Sequence, residues 1–179
     1  MITNSTDEPD LIEKARHDPE AFAELYRRYL APVYRYLYRR LGNVHEAEDL
    51  TAQVFIDMLE GLAANRYRAG SCFSAWLFTI TRRRLVDFYR QRPTVPLDEE
   101  HSSEPGLLAA LEKSDDLRRL ADLLTQLDEE KQELLRLRFS AGLGFAEIAL
   151  LEGRSEAAVK MMLYRALDWL REHWEAENG

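Results

Sequence analysis

The chain has 179 residues, 46% of them hydrophobic and 31% charged, and a net charge of −8; its eight Gly and six Pro are too few for a fold of many short strands, so an all-α protein is expected. A single cysteine, Cys72, excludes an internal disulfide and any Cys-x-x-Cys metal site, and His17, His45, His101 and His173 are not spaced to share a helix face, so neither metal nor cofactor is expected. No apolar run approaches the roughly 18–20 residues that span a bilayer, and the acidic start Thr6-Asp7-Glu8-Pro9-Asp10 is not a leader, so the expected setting is cytoplasmic, with no membrane insertion.

Residues 1–18 read as an N-terminal tail. From Pro19 to Leu41, Phe22, Leu25, Tyr26, Tyr29, Val33, Tyr36 and Leu37 recur at three- and four-residue steps, the period of a helix with one buried face. Asp18-Pro19 opens it with a cap and a first-turn proline, and Gly42 closes it. Pro32 removes one internal hydrogen bond, which predicts a kink or break. A second helix, about His45 to Leu62, turns Ala47, Leu50, Val54, Met58 and Leu62 inward and carries an acidic outer face of Glu46, Glu48, Asp49 and Asp57. An irregular stretch follows. The third helix, about Phe73 to Gln91, buries Trp76, Leu77, Ile80, Leu85 and Phe88 and ends strongly basic, with Arg82, Arg83, Arg84, Arg90 and Arg92 against Asp87 alone. This charge segregation offers a local footprint for nucleic acid despite the acidic total.

Pro93, Pro96, Pro105 and Gly106, among acidic and serine residues, predict a flexible linker over 93–116. The expected architecture is therefore two small helical domains, 19–92 and 117–179. In the second, Leu117, Leu120, Leu123, Leu124 and Leu127 form one helical stripe, and Asp128-Glu129-Glu130 caps the next helix. The segment Gly144-Phe-Ala-Glu-Ile-Ala-Leu-Leu-Glu-Gly-Arg-Ser-Glu-Ala-Ala-Val-Lys160 has the form of a helix-turn-helix: a first helix from Phe145 to Leu151, Gly153 in the turn, Ser155 as cap, and a second helix reaching about Trp174.

Three constellations then stand in chain order. Glu46-Ala-Glu-Asp-Leu-Thr-Ala-Gln-Val-Phe-Ile-Asp-Met-Leu59, with Ala47 to Phe55 at its centre, is an amphipathic helix suited to a basic partner helix. Arg66 to Arg84 joins a loop, aromatics and arginines, the combination that holds single-stranded DNA. The helix-turn-helix is third. Together, across about Phe22 to Trp174, they resemble the extracytoplasmic-function group of the sigma-70 family: the first its region 2.2, Phe73-Ser-Ala-Trp-Leu-Phe-Thr-Ile80 with the arginines its regions 2.3 and 2.4, the last its region 4.

The resemblance implies a non-enzymatic subunit that binds core RNA polymerase and directs promoter recognition, melting and initiation. Glu48, Asp49, Gln53, Phe55 and Met58 would dock the coiled coil of the polymerase's largest subunit, with the flap of the second-largest subunit as a further partner. Arg66, Arg68, Ser71, Phe73 and Trp76 would capture a flipped base of the −10 non-template strand, and Arg82, Arg83, Arg84 and Arg90 would hold its backbone. Arg154, Ser155, Glu156, Lys160, Met161, Tyr164 and Arg165 would meet the −35 duplex. An anti-sigma factor is a further implied partner. Many relatives carry Val-Lys-Ser-Arg-Leu-His-Arg where this chain has Val159-Lys-Met-Met-Leu-Tyr-Arg165, which predicts weaker −35 attraction and a gain from Met162→Arg. Two readings compete. An operator-binding regulator leaves the acidic helix and the basic third helix unused, and a helical hydrolase lacks a nucleophile or phosphate motif.

Overall fold

A computed structural model describes residues 8–91 and 115–176, and every regular element among them is helical. The expected linker lies outside the described residues except for Asp115 and Asp116, which open a helix.

The front module comprises α1 (Glu8–Lys14), α2 (Pro19–Leu41), α3 (Val44–Ala63) and α4 (Phe73–Gln91). Asp18 accepts from the Glu20 N–H at 2.9 Å to start α2, and Gly42, at a φ of 69°, ends it with its N–H on the Tyr38 carbonyl. Of the kink or break expected at Pro32, the break does not occur: α2 runs through it as one helix. An interior proline costs about 3 kcal/mol, but Tyr29, Val33, Tyr36 and Leu37 around it are all buried, and their burial outweighs that cost.

The tail expected over 1–18 contains α1, a correction to the sequence reading. Ile12 and Ala15 are buried beside α2, and Arg16 reaches the Leu62 carbonyl at 3.0 Å, the Tyr67 carbonyl at 3.1 Å and the Asn65 side chain. The last turn of α3 has no basic residue of its own. Arg16 therefore supplies the cation at that helix end and pins the loop leaving it. Arg16→Ala is expected to lower stability by about 2–3 kcal/mol, measured by urea unfolding, and to raise amide exchange over residues 64–72. Unchanged exchange there would remove Arg16 as the anchor.

The rear module comprises α5 (Asp115–Gln126), α6 (Glu129–Leu135), which continues as a π-helical turn over Arg136–Ser140, α7 (Phe145–Glu152) and α8 (Glu156–Ala176). Asp128 caps α6 through the Lys131 N–H at 2.9 Å. Leu123, Leu127, Leu135, Ala166 and Leu170 form a small core between α5 and α8.

A second, larger core runs through both modules. It joins Leu25, Tyr29, Val33, Tyr36, Leu37, Val54, Leu77 and Phe78 of the front to Leu134, Leu137, Leu143, Ile148, Val159 and Leu163 of the rear. In this conformation α7 packs on α4 and the π-helical turn packs on α2. Such a closed arrangement was not anticipated from the sequence.

Candidate polymerase and promoter interfaces

Along α3 the buried positions Ala47, Leu50, Thr51, Val54, Phe55, Met58 and Leu62 fix which residues face outward. Glu48, Asp49 and Gln53 are exposed, as expected of docking residues. Phe55 and Met58 are not: both are buried, and the Phe55 ring meets Tyr26 edge-on at 4.6 Å. They support the exposed face of α3 from beneath. Ile56 and Leu59, passed over in the sequence, are exposed on the same side as Gln53. A helix turn of 100° per residue places 49, 52, 53, 56 and 59–60 on one stripe, and that arithmetic finds them.

The loop after α3 presents Arg66, Arg68 and Ser71 to solvent. Its Tyr67 is buried, donates from its hydroxyl to the Ser71 carbonyl at 2.5 Å and packs on Phe73 and Trp76. Phe73, expected to touch DNA, lies instead at the centre of this aromatic cluster, with Tyr29 on its other side. Trp76 is half-buried and lies close against α3 at Gly61, where a Cβ would come within 2.8 Å of the indole. Only a glycine there admits the ring.

The four arginines of α4 part ways. Arg83 and Arg90 are exposed and sit near Asp87, at 4.0 and 3.1 Å. Arg84 grips Asp57 of α3 with two hydrogen bonds, which push its pKa up further, so it ties α4 to α3 rather than facing outward. Arg82 points at the rear module, 2.7 Å from Glu152 and 3.7 Å from Glu133.

Polar contacts between the modules centre on two carboxylates. Glu133 accepts the Tyr36 hydroxyl at 2.6 Å and lies near Arg136, Arg40 and Arg82. Burial first, and then the Glu133 charge, push the Tyr36 hydroxyl far above the usual phenol range. Glu147 joins the Ser74 hydroxyl of α4 to the Gly144 N–H at the start of α7, so one side chain both caps the helix-turn-helix and holds it to α4. Below it Tyr29 donates to Glu8 at 2.7 Å, and burial raises the Glu8 pKa, partly countered by that bond. Among the described residues, no cluster of His, Cys, Asp and Glu is placed to hold a metal, and no helix is long and apolar enough to cross a membrane.

In the helix-turn-helix, Gly153 adopts a φ of 63°, Arg154 donates from its backbone to the Ala149 carbonyl at 2.9 Å, and Ser155 accepts the Ala158 N–H at 3.2 Å. Val159, Leu163, Ala166 and Leu170 face the core, which turns Glu156, Met161, Tyr164 and Arg165 outward. Lys160 pairs with Glu156 at 2.7 Å and lies 5.4 Å from the Phe145 ring centre. Arg154 pairs with Glu130 and touches the Met162 sulfur at 3.3 Å. Met162 is half-buried against the core. Met162 thus lies beside Arg154, and the gain in promoter binding expected from Met162→Arg is checked by measuring promoter affinity as a function of salt.

The geometry defines a two-module helical protein with a helix-turn-helix in its rear half and an exposed acidic face on α3 and a basic α4 in its front half. The family models Sigma-70 region 2 and Sigma-70, region 4 match residues 25–93 and 117–170. The ECF RNA polymerase sigma factor BldN of Streptomyces coelicolor is 36% identical over 169 residues, covering 88% of this chain and 62% of BldN. RNA polymerase sigma factor YlaC of Bacillus subtilis is 31% identical over 158 residues, 82% of this chain and 88% of YlaC. Among solved structures, CnrH in complex with the cytosolic domain of CnrY aligns with a TM-score of 0.66 at 26% identity, covering 94% of this chain and 97% of CnrH. The chain belongs to the extracytoplasmic-function sigma factors of the sigma-70 family, non-enzymatic subunits through which RNA polymerase starts transcription.

Proposed function

We propose that the front module, residues 19–92, docks on the coiled coil of the polymerase's largest subunit through the stripe Glu48, Asp49, Gln53, Ile56 and Leu59. Acids flanking exposed aliphatic groups suit a basic amphipathic helix. The loop carrying Arg66, Arg68 and Ser71, with Trp76 behind it, receives an unstacked base of the −10 non-template strand, and Arg82, Arg83 and Arg90 hold the backbone. The rear module, residues 117–179, sets α8 in the major groove of the −35 duplex and contacts the flap of the second-largest subunit. An anti-sigma factor is the protein inhibitor that this reading includes.

The observation that carries the proposal is the pairing of an outward-facing recognition helix with an exposed acidic stripe on a separate module. In the closed conformation Arg82 is held by Glu152 and Glu133, so strand capture requires the modules to part. Purified chain mixed with core polymerase is expected to form a stable complex and to yield specific run-off transcripts from a promoter library. A chain that does not associate with core polymerase would overturn the reading.

A further inference from the structure

The outward face of α8 is unusual in its chemistry for a helix that reads a groove. Met161 and Tyr164 are exposed at 51% and 55%, and Ala157, one turn before Met161, is exposed as well. The buried stripe on the opposite side turns these three outward, together with Glu156 and Arg165. The polar groups nearby are engaged or peripheral: Lys160 is paired with Glu156, Arg154 with Glu130, and exposed Arg165 flanks Tyr164.

Hydrogen-bond readout of a base pair needs a fork such as Arg to guanine or Asn and Gln to adenine, and neither Ala157 nor Met161 offers one. The major-groove edge of DNA presents a single apolar group, the C5 methyl of thymine. An unbranched thioether with three rotatable bonds, beside the face of a phenol ring, can enclose such a methyl. We infer that Met161 and Tyr164 make α8 a selector of thymine methyl groups, so that the duplex this chain prefers carries T·A pairs opposite these two side chains. The inference rests on the proposed docking of α8 in the −35 groove. Arg165, with Arg154 and Lys160, whose pairs with Glu130 and Glu156 are solvent-exposed and give way to phosphate, borders the apolar centre and favours DNA over an apolar protein helix as occupant.

The test uses holoenzyme assembled from the full chain and core polymerase, and a promoter library with the upstream decamer randomised. Selected decamers are then rebuilt with deoxyuridine for thymine one position at a time, which deletes only the methyl. Binding is expected to fall about fourfold at one or two such positions, the effect of exposing one methyl-sized group. Met161→Ala and Tyr164→Ala, both at exposed sites, should keep the wild-type melting temperature and abolish the difference between thymine and deoxyuridine. Selection of a decamer that is indifferent to deoxyuridine would overturn the methyl inference and leave the docking of α8 intact. No enrichment in the decamer would overturn both. Unchanged selection by the two alanine variants would assign the apolar face to a protein partner and likewise overturn the inference.

Discussion

Replacing Glu133 by alanine is expected to lower the unfolding free energy by about 2–4 kcal/mol and the melting temperature by roughly 5–15 °C. The carboxylate has only 8% exposure and serves both modules: Tyr36 donates to it from α2, Arg136 lies 3.1 Å away on its own module, and Arg40 and Arg82 reach it from the front at 3.6 and 3.7 Å. Truncation leaves a phenol hydroxyl without its acceptor and takes one carboxylate from each of three guanidinium groups, which keep Glu129 or Glu152 as partner. Partial exposure of the arginines keeps the expected loss below that of a fully buried ion pair. Glu133→Gln, which keeps an acceptor for Tyr36 but not the charge, should fall between alanine and wild type. A Tyr36→Phe cycle would isolate the hydroxyl's share. Since three of the four partners cross between modules, scattering should show a larger radius for Glu133→Ala before global unfolding. A variant as stable and compact as wild type would mean that the halves are held together without Glu133, by apolar packing and the remaining contacts of Glu147 with Ser74 and Glu152 with Arg82.

This interface also marks the limit of what was legible in the chain. Tyr36 and Glu133 are separated by 97 positions, and Arg82 and Glu152 by 70. Neither pairing leaves a periodic trace: Tyr36 reads as one more member of the buried stripe of α2, Arg82 as one of a basic run, and Glu133 and Glu152 as ordinary polar residues on their own helices. Periodicity did locate α4 at Phe73–Gln91 and the turn at Gly153, where strong apolar spacing and a left-handed glycine act locally. It missed α1, whose seven residues bury only Glu8 and Ile12 within the helix and depend for their place on the Tyr29 bond to Glu8 and on Arg16 at the α3 end. The break expected at Pro32 failed for a related reason: tertiary burial of α2 outweighed a local penalty.

The candidate site divided along the same line. Exposed polar and charged members such as Asp49, Gln53, Arg66, Arg83 and Arg165 stand at the surface as expected. Phe55, Met58 and Phe73 are core residues, because family motifs mark positions that are shared without separating contact from support. Arg84, bound to Asp57, shows the same ambiguity for a charge: in a run of three arginines, helix rotation decides which one is structural.

That distinction between contact and support predicts how α3 variants separate. The double variant Asp49→Lys, Ile56→Asp is expected to lose core-polymerase affinity by more than about a hundredfold, since placing a cation against a basic partner helix costs several kcal/mol and each 1.4 kcal/mol is a factor of ten. Its helicity and melting temperature should match wild type, because Ile56 is 56% exposed and Asp49 lies on the solvent side of the helix. Phe55→Ala should behave in the opposite way. Removing a ring buried against Tyr26 should cost about 3–5 kcal/mol of stability, and any binding loss should follow the fraction unfolded and return when the protein is stabilised by cooling toward its stability maximum. Equilibrium binding to core polymerase, measured beside thermal unfolding of each free variant, separates the two. If the double variant binds as tightly as wild type, the acidic stripe is only a solvated face and the polymerase grips the front module elsewhere.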